Sequence, residues 1–227
     1  YKNKTFRFVL LSSRFLYIIP LFEKGVLIMN NTLLFATSNE DKVREVREML
    51  APLHIQVLSL KDVGLKVEHP EDAETFEGNS KIKAEDIAKR CSYPVLSDDS
   101  GLSIDALGGF PGVHSARFME GRPYSEKNRA LVDMLKDKEN RKASYFTVMT
   151  FISADRKREI AFEGRNDGEI TTRVDDNATN GFGYDPIFYS YDLKKTFGRA
   201  TPEEKDRVSH RGRAMQAFAA YIEKEGL

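Results

Sequence analysis

The stretch TLLFATSNEDKVREVREML, residues 32–50, carries two secondary-structure patterns in direct succession. Residues 32–37 form a short apolar run, which is typical of a buried strand. The run ends at Ser38 and Asn39, two good helix N-caps, and the apolar residues that follow recur at helical spacing up to Pro52. The stretch therefore predicts a strand, a tight turn and a helix, the opening unit of an α/β protein.

Strand and helix patterns continue to alternate along the rest of the chain. Residues 143–153, ASYFTVMTFIS, are rich in aromatic and β-branched residues and give the strongest strand signal. The sequence TPEE at residues 201–204 is a capping box with proline at the first helical position. Strands are also predicted at 57–60, 94–97, 102–106, 158–163, 169–173 and 187–189, and helices at 79–90, 125–136 and 212–225. We expect an α/β fold with a mixed sheet, arranged in two lobes around a cleft.

The first 28 residues differ from the rest because they are apolar and basic. Arg14 and Pro20 interrupt their apolar run, which is also too short to span a membrane. Met29 stands just before the first predicted strand. We therefore expect residues 1–28 to be an N-terminal extension, followed by a single domain at residues 29–227. A weak targeting segment is the alternative.

Overall charge argues against a nucleic-acid partner. Lys plus Arg equals Asp plus Glu, at 35 each, so no general positive field surrounds the protein. Cationic side chains are nevertheless concentrated at residues 194–213, which is compatible with a specific polyanion site. The single cysteine, Cys91, cannot form an internal disulfide, which fits a reducing compartment such as the cytoplasm.

The start of the first predicted helix is a candidate phosphate site. A helix N-terminus exposes unpaired backbone N–H groups and a partial positive charge. Lys42 lies three residues after Asn39 on nearly the same helical face and could point at a bound anion. An ordinary capped helix with a solvated lysine is the alternative. The candidate residues are Thr37, Ser38, Asn39, Glu40, Asp41 and Lys42.

Carboxylates supply a candidate metal and catalytic centre. Adjacent Asp98 and Asp99 follow a predicted strand, where a cation or hydrogen-bond donors would have to compensate their charge. Together with Glu71 they suit Mg²⁺, and one of them can act as a general base. Ser100 and Gly101 then predict a tight turn close to a ligand. A polar turn without a metal is the alternative.

Three further groups could contact a nucleotide. Lys83 lies four residues after Asn79 and could hold a polyphosphate together with Lys42, although solvated surface residues are the alternative. In residues 181–186, glycines flank an aromatic ring that could stack on a base, although the stretch also fits a structural turn. The candidate base-binding residues are Phe182, Gly183, Tyr184 and Asp185. The last group is Lys205 with His210 and Arg211, whose side chains could bind a carbonyl oxygen or a phosphate.

Taken together, these motifs resemble the inosine triphosphate pyrophosphatases, also called XTP/dITP diphosphatases. The resemblance runs from Leu33 to about Phe218 with the motifs in the family's order. It is carried by LLFATSNEDKVREV, PEDAETFEGNSKIKA, SDDSGLSIDALGGFPGVHSARF, FEGRNDGEI, NGFGYDPIF and TPEEKDRVSHRGRA. Gly78 stands where many members have Glu, and Ala73 stands where Gly is common, which affects the expected metal geometry more than the expected function.

The resemblance implies an elongated two-lobed fold with a long mixed sheet, a central nucleotide cleft and a homodimer. It implies Mg²⁺-dependent cleavage of ITP, dITP or XTP into a monophosphate and pyrophosphate. It makes Asp99 the proton acceptor, Glu71 and the Asp98–Asp99 pair the metal ligands, and Lys83 a triphosphate ligand. Residues 37–42 hold the triphosphate, residues 182–185 face the base, and Lys205, His210 and Arg211 complete the nucleotide site. Ser100, next to the aspartate pair, is a further candidate substrate-binding residue.

Two other functions are compatible with parts of this pattern. One is a pyrophosphatase for a different unusual nucleotide, such as a modified pyrimidine. The other is a nucleotide sensor or RNA-binding module without catalysis, against which the carboxylates of Asp98 and Asp99 argue because they repel phosphate unless a metal is present.

Overall fold

A computed structural model describes residues 31–68 and 72–227. Seven strands of these residues form one sheet in the order β2-β1-β3-β4-β5-β6-β7. The strands are β1 (Thr32–Phe35), β2 (Gln56–Ser59), β3 (Val95–Ile104), β4 (Lys142–Ile152), β5 (Glu159–Ile170), β6 (Phe188–Ser190) and β7 (Lys195–Thr196). The helices are α1 (Glu40–Leu50), α2 (Phe76–Ala88), α3 (Tyr124–Met134), α4 (Pro202–Val208) and α5 (His210–Glu225). The expectations for residues 1–28 and for Glu71 lie outside the described residues.

The sheet is mixed, as the sequence predicts. Strand β1 runs parallel to both β2 and β3, and every later pairing in the sheet is antiparallel. The predicted strand–turn–helix unit is confirmed as β1 and α1, and the capping box at Thr201 and Glu204 is present at the start of α4. Among the described residues, none of the helices has the length and apolar character needed to cross a membrane.

The predicted turn at Asp98–Gly101 is wrong, because β3 continues through it. Asp98 pairs with Met149 and Asp99 pairs with Val148 on β4. Gly101 serves close packing instead of a turn, since a Cβ atom there would collide with the carbonyl oxygen of Gly112. The two short strands expected on either side of the turn are therefore one long strand.

The predicted break between two strands at residues 158–163 and 169–173 is also wrong. Strand β5 is continuous from Glu159 to Ile170 and pairs with β4 from Glu159 to Glu169. Gly164 lies inside it because a Cβ atom at this position would collide with the backbone of His210. This close approach places the first turn of α5 directly against the sheet.

Helices cover both faces of the sheet, and apolar side chains alternate between them. Leu96 of β3 packs in a cluster with α1 and α5, whereas Val95 packs in a cluster with α2. Because successive strand residues point to opposite faces, Asp98 follows Leu96 toward α1 and α5. Asp99 follows Val95 toward α2. A third apolar cluster joins β3, β4 and β6 to α3.

Candidate active site

The start of α1 is a capped helix N-terminus, as the sequence predicts. The Asn39 side chain accepts hydrogen bonds from the backbone N–H groups of Asp41 (3.0 Å) and Lys42 (3.2 Å). Thr37 Oγ1 in turn accepts from the Asn39 N–H at 3.2 Å. The cap fixes the direction in which the Lys42 side chain leaves the helix.

Lys42 and Arg211 meet at the buried carboxylate of Asp98. Oδ2 of Asp98 lies 2.9 Å from Lys42 Nζ and 3.3 Å from Arg211 Nη2, and Ser100 Oγ donates to it at 3.3 Å. Burial alone would raise the pKa of Asp98, but the charges of Lys42, Arg211 and Lys83 outweigh it and hold the pKa well below its usual range. Asp98 is therefore an ionised carboxylate beneath the site.

The same buried network continues on the other side of Arg211. Arg211 Nη1 donates to Glu45, and Lys205 Nζ lies 3.0 Å from Glu45 Oε1 and 2.8 Å from Asp185 Oδ2. Burial raises the pKa of Glu45, but the Arg211 and Lys205 charges reverse the effect and lower it. Cations and carboxylates thus alternate from Lys42 to Asp185 through the interior.

Asp99 lies on the α2 side of the sheet. Its Oδ2 accepts from Asn79 Nδ2 at 3.1 Å, and its Oδ1 lies 3.5 Å from Lys83 Nζ. Burial raises the pKa of Asp99 above its usual value, although Lys83 and Lys42 act in the opposite direction. The result is a carboxylate with increased proton affinity next to a lysine on the same wall.

A cavity of about 680 Å³ lies between the start of α1 and α2. It brings together eight of the sequence-predicted residues, although they come from three separate parts of the chain. They are Thr37, Ser38, Asn39, Glu40, Lys42, Lys83, Asp99 and Ser100. Asp41 is absent from the lining and forms an exposed ion pair with Arg44 at 2.9 Å. Asp98 does not line it either, because the carboxylate is fully buried beneath Lys42.

A smaller pocket of about 80 Å³ adjoins this cavity and shares Asn39, Lys42, Ser100 and Ala116 with it. Its lining includes seven further residues of the predicted nucleotide site, namely Phe182, Gly183, Tyr184, Asp185, Lys205, His210 and Arg211. The ring of Phe182 lies over Lys205, with the ammonium nitrogen 4.5 Å from the ring centroid. The structure therefore places the predicted phosphate and base residues in two connected cavities.

His210 is a buried, neutral imidazole in the wall of the smaller pocket. Burial lowers its pKa well below the usual value, and the nearby charges of Arg211 and Lys205 lower it further. The ring stacks on Tyr145 with centroids 4.7 Å apart and planes at 7°. Its Nδ1 atom is buried and has no hydrogen-bond partner among residues 31–68 and 72–227. A neutral imidazole can donate from one nitrogen and accept at the other.

Sequence reasoning missed several residues of this site. Glu45 looks like an ordinary solvent-facing charge in α1, because its partners come from α4 and α5 and are invisible in the local pattern. Tyr145 lies within the strongest strand signal, where an aromatic residue indicates core packing. Tyr124 also lines the smaller pocket and belongs to α3, where no sequence pattern indicates a function.

The described residues contain no ready-made protein cage for a metal ion. Within 31–68 and 72–227, no group of three or more His, Cys, Asp or Glu side chains is arranged to hold one. Asp98 and Asp99 extend to opposite faces and so do not form the paired site that the sequence predicts. Glu40 and Asp99 are the acidic residues in the lining of the larger cavity. Glu71 lies outside the described residues.

An α/β fold that gathers lysines, a helix N-terminus and a buried carboxylate around one cavity is typical of enzymes that act on phosphorylated ligands. The chain belongs to the Ham1 family, whose sequence model matches residues 33–221. The family resemblance stated from the motifs is thus confirmed.

Similar proteins support the same assignment over nearly the whole described chain. A curated relative from Leptospira biflexa, named dITP/XTP pyrophosphatase, is 40% identical over 194 residues, which are 85% of this chain and 96% of the relative. The solved structure of the Staphylococcus aureus Ham1 protein has a TM-score of 0.75 at 31% identity, covering 86% of this chain and 99% of that one. A HAM1 protein structure from Coxiella burnetii has a TM-score of 0.76 at 31% identity, covering 85% and 98%.

Proposed function

We propose that this chain hydrolyses non-standard purine nucleoside triphosphates, such as ITP, dITP and XTP, to the nucleoside monophosphate and pyrophosphate. The observation that carries the proposal is the meeting of Lys42, Lys83 and Asp99 at one cavity that opens into a second, ring-lined pocket. Curated relatives named dITP/XTP pyrophosphatase support dITP and XTP as substrates.

The triphosphate lies in the larger cavity. Lys42 and Lys83 enter it from helices on opposite faces of the sheet and contact the phosphates as point charges. The N-terminus of α1 adds a partial positive charge at the same place. The Asp98 carboxylate directs this lysine before the substrate arrives, and its charge opposes the burial that lowers the pKa of Lys42.

The proposed reaction uses Mg²⁺ as its cofactor, and Asp99 is the residue that would hold the ion. Protein carboxylates and substrate phosphates commonly share Mg²⁺, so a complete protein cage is not required. Asp99 fits this role because it lines the larger cavity, whereas the partners of Asp98 among the described residues are cations and a hydroxyl; Glu71 stays a predicted ligand. When bound, the ion neutralises phosphate charge and stabilises the charge that develops on the leaving pyrophosphate.

Asp99 accepts a proton from the attacking water. The water oxygen forms a bond to the α-phosphorus, the bond from that phosphorus to the α–β bridging oxygen breaks, and pyrophosphate leaves. The raised pKa of Asp99 makes its carboxylate a stronger proton acceptor, while Lys83 at 3.5 Å keeps it ionised.

The purine lies where the two cavities join, with its edge directed into the smaller pocket. Phe182 supplies a ring for stacking, and His210 supplies a neutral donor for the 6-oxo group. Arg211 is held by Glu45 and Asp98, so its position is fixed before binding. Adenine carries an amino group at this position and would leave the donor unpaired, which penalises ATP.

The products of ITP hydrolysis test the proposal. Purified protein is incubated with Mg²⁺ and ITP, and the products are separated by anion-exchange chromatography, with ATP and a modified pyrimidine triphosphate assayed in parallel. We expect IMP and pyrophosphate, with slow turnover of the other two. Formation of IDP and phosphate, or ATP turnover as fast as ITP turnover, would contradict the proposal.

We also propose that the protein forms a homodimer and is located in the cytoplasm. The family resemblance supports the dimer, and the nucleotide pool that such an enzyme acts on supports the location. Light scattering on the purified protein measures the assembly state, and a monomer at micromolar concentration would contradict the first point.

A further inference from the structure

Two neighbouring side chains of α3 hold backbone carbonyls in the wall of the smaller pocket. Lys127 Nζ donates to the carbonyl oxygen of Ala116 at 3.1 Å, and Asn128 Nδ2 donates to that of Gly183 at 3.2 Å. Ala116 and Gly183 both line the pocket, although they lie 67 residues apart in sequence. One helix therefore fixes two different walls of the same pocket.

A third hydrogen bond joins these two walls directly. The Tyr184 hydroxyl donates to the carbonyl oxygen of Ser115 at 2.6 Å, and both residues line the pocket. Tyr124, in the first turn of α3, packs edge-on against the Tyr184 ring with centroids 5.2 Å apart. The loop at residues 181–186 and the segment at residues 112–118 are thus tied to each other and to α3.

Both α3 side chains are buried in a way that is unfavourable for stability alone. Lys127 is 4% exposed, and among the described residues its ammonium group has a carbonyl oxygen and the Tyr124 ring as partners but no carboxylate. Asn128 is 2% exposed, and its Oδ1 atom has no hydrogen-bond partner within the described part of the chain. An unpaired buried charge and an unpaired buried acceptor both cost folding free energy. A functional need for the two side-chain donors at the carbonyls of Ala116 and Gly183 would explain why this cost is retained.

We propose that Lys127 and Asn128 are positioning residues that hold the nucleoside-binding walls in the geometry that accepts a purine. The inference rests on the proposed function and adds two residues to its specificity machinery. Neither side chain lines either cavity, so both act through the backbone carbonyls of Ala116 and Gly183. Gly183 lines the smaller pocket and not the cavity that contains Asp99 and Lys83, whereas Ala116 lines both. Chemistry at the α-phosphorus is therefore expected to be little changed when the support of Gly183 by Asn128 is lost.

A split between KM and kcat tests the inference. N128L keeps the size of the side chain but removes the donor, and we expect KM for ITP to rise about fivefold because one hydrogen bond is lost, with kcat within about twofold of wild type. Titration calorimetry with IMP should show a similar loss of affinity, while affinity for pyrophosphate should be unchanged. Equal loss of IMP and pyrophosphate affinity, or an unchanged KM, would overturn the inference.

A second pair of variants separates positioning from general stability. K127M removes the ammonium group and should raise KM for ITP in the same way, whereas K127R keeps a charged donor and should restore most of the affinity. L131V is the matched control, because Leu131 is buried on the same helix but lines neither cavity and has no polar side-chain atom to hold a backbone carbonyl. It should lower the melting temperature without changing KM. If L131V raises KM as much as K127M does, the effect is one of stability and the inference fails.

The activity of the wild-type protein separates a failure of the proposed function from a failure of the roles assigned to Lys127 and Asn128. A wild type that releases no pyrophosphate from ITP contradicts the proposed function itself. A wild type that does so, with variants N128L and K127M that keep its KM, contradicts only the roles of Lys127 and Asn128.

Discussion

Asp98 and Asp99 are neighbours in sequence, but their carboxylates extend to opposite faces of the sheet. Asp98 Oδ2 lies 2.9 Å from Lys42 Nζ on the side of α1, whereas Asp99 Oδ2 accepts a hydrogen bond from Asn79 Nδ2 at 3.1 Å on the side of α2. The alternation of side chains along a strand produces this separation. It gives the two acids different environments, and therefore different expected effects when each is replaced.

Asp99→Asn is expected to fold normally and to lose most turnover. The amide keeps the shape of the side chain but cannot accept a proton from water, and general-base catalysis is worth about 10²- to 10⁴-fold in rate. Pyrophosphate release from ITP measures the effect, and thermal unfolding checks the fold. Asp105→Asn, at an exposed position after β3, is the control and should keep full activity. Near-normal turnover of Asp99→Asn would remove this residue from its proposed role.

Asp98→Asn is expected to destabilise the protein. It leaves Lys42 and Arg211 without their shared carboxylate, and breaking a buried ion pair costs about 3–5 kcal/mol. Because the folded pKa of Asp98 lies below its ordinary value of 3.8, this stabilisation is complete above that pH and is lost in stronger acid. Urea unfolding at pH 7 and at pH 3 measures both effects. Asp41→Asn, in an exposed pair, should cost less than about 1 kcal/mol.

Lys83→Met is expected to lower kcat/KM for ITP and to move its pH dependence. Losing a charged contact to phosphate reduces kcat/KM by about 10- to 100-fold at neutral pH. Lys83 also lowers the pKa of Asp99, so its removal raises that pKa and shifts the acid limb of the profile to higher pH. Lys81→Met is the control, because this exposed lysine on the same helix bonds Glu159 at the surface. An acid limb that does not shift would contradict an effect of Lys83 on the pKa of Asp99.

The sequence predicts most of the fold because the deciding signals are local. The apolar run and N-cap at residues 32–39 define β1 and the start of α1, and the capping box at Thr201 defines α4. The errors at Gly101 and Gly164 have one cause: both glycines allow another backbone to pack closely, and the sequence alone cannot distinguish this use from a turn.

The candidate site was predictable only in part, for the same reason. Residues that contact a ligand directly, such as Lys42 and Phe182, stand in recognisable motifs. Glu45, Lys127 and Asn128 act through partners that are distant in the chain, and nothing in their helical context separates them from solvated residues. The face of the sheet toward which the Asp98 and Asp99 carboxylates extend also depends on β3 being continuous. Ser100 and Gly101 follow these residues directly and favour the prediction of a turn instead.

Asp206→Asn is expected to stabilise the protein at pH 8. Burial raises the pKa of Asp206 to about 6, and the charges of Glu45 and Glu48 add to the effect. The folded state then binds more protons than the unfolded state between pH 3.8 and about 6, so the free energy of unfolding falls as pH rises through this range. The amide avoids this loss, which is about 1–3 kcal/mol. Urea unfolding should show the gain at pH 8 and none below pH 4, and a gain independent of pH would contradict the assignment.

His210→Phe is expected to weaken discrimination between ITP and ATP. The phenyl ring can keep the stacking on Tyr145 but has no N–H group for a 6-oxo purine. Because the imidazole is neutral in the folded protein, it offers a single donor, and its loss should lower kcat/KM for ITP by about 10- to 100-fold. ATP turnover in the same variant is the internal reference and should change little, so the ratio of the two falls. If both rates fall together, His210 supports the pocket without reading the base, and Arg211 becomes the residue that selects the 6-oxo group.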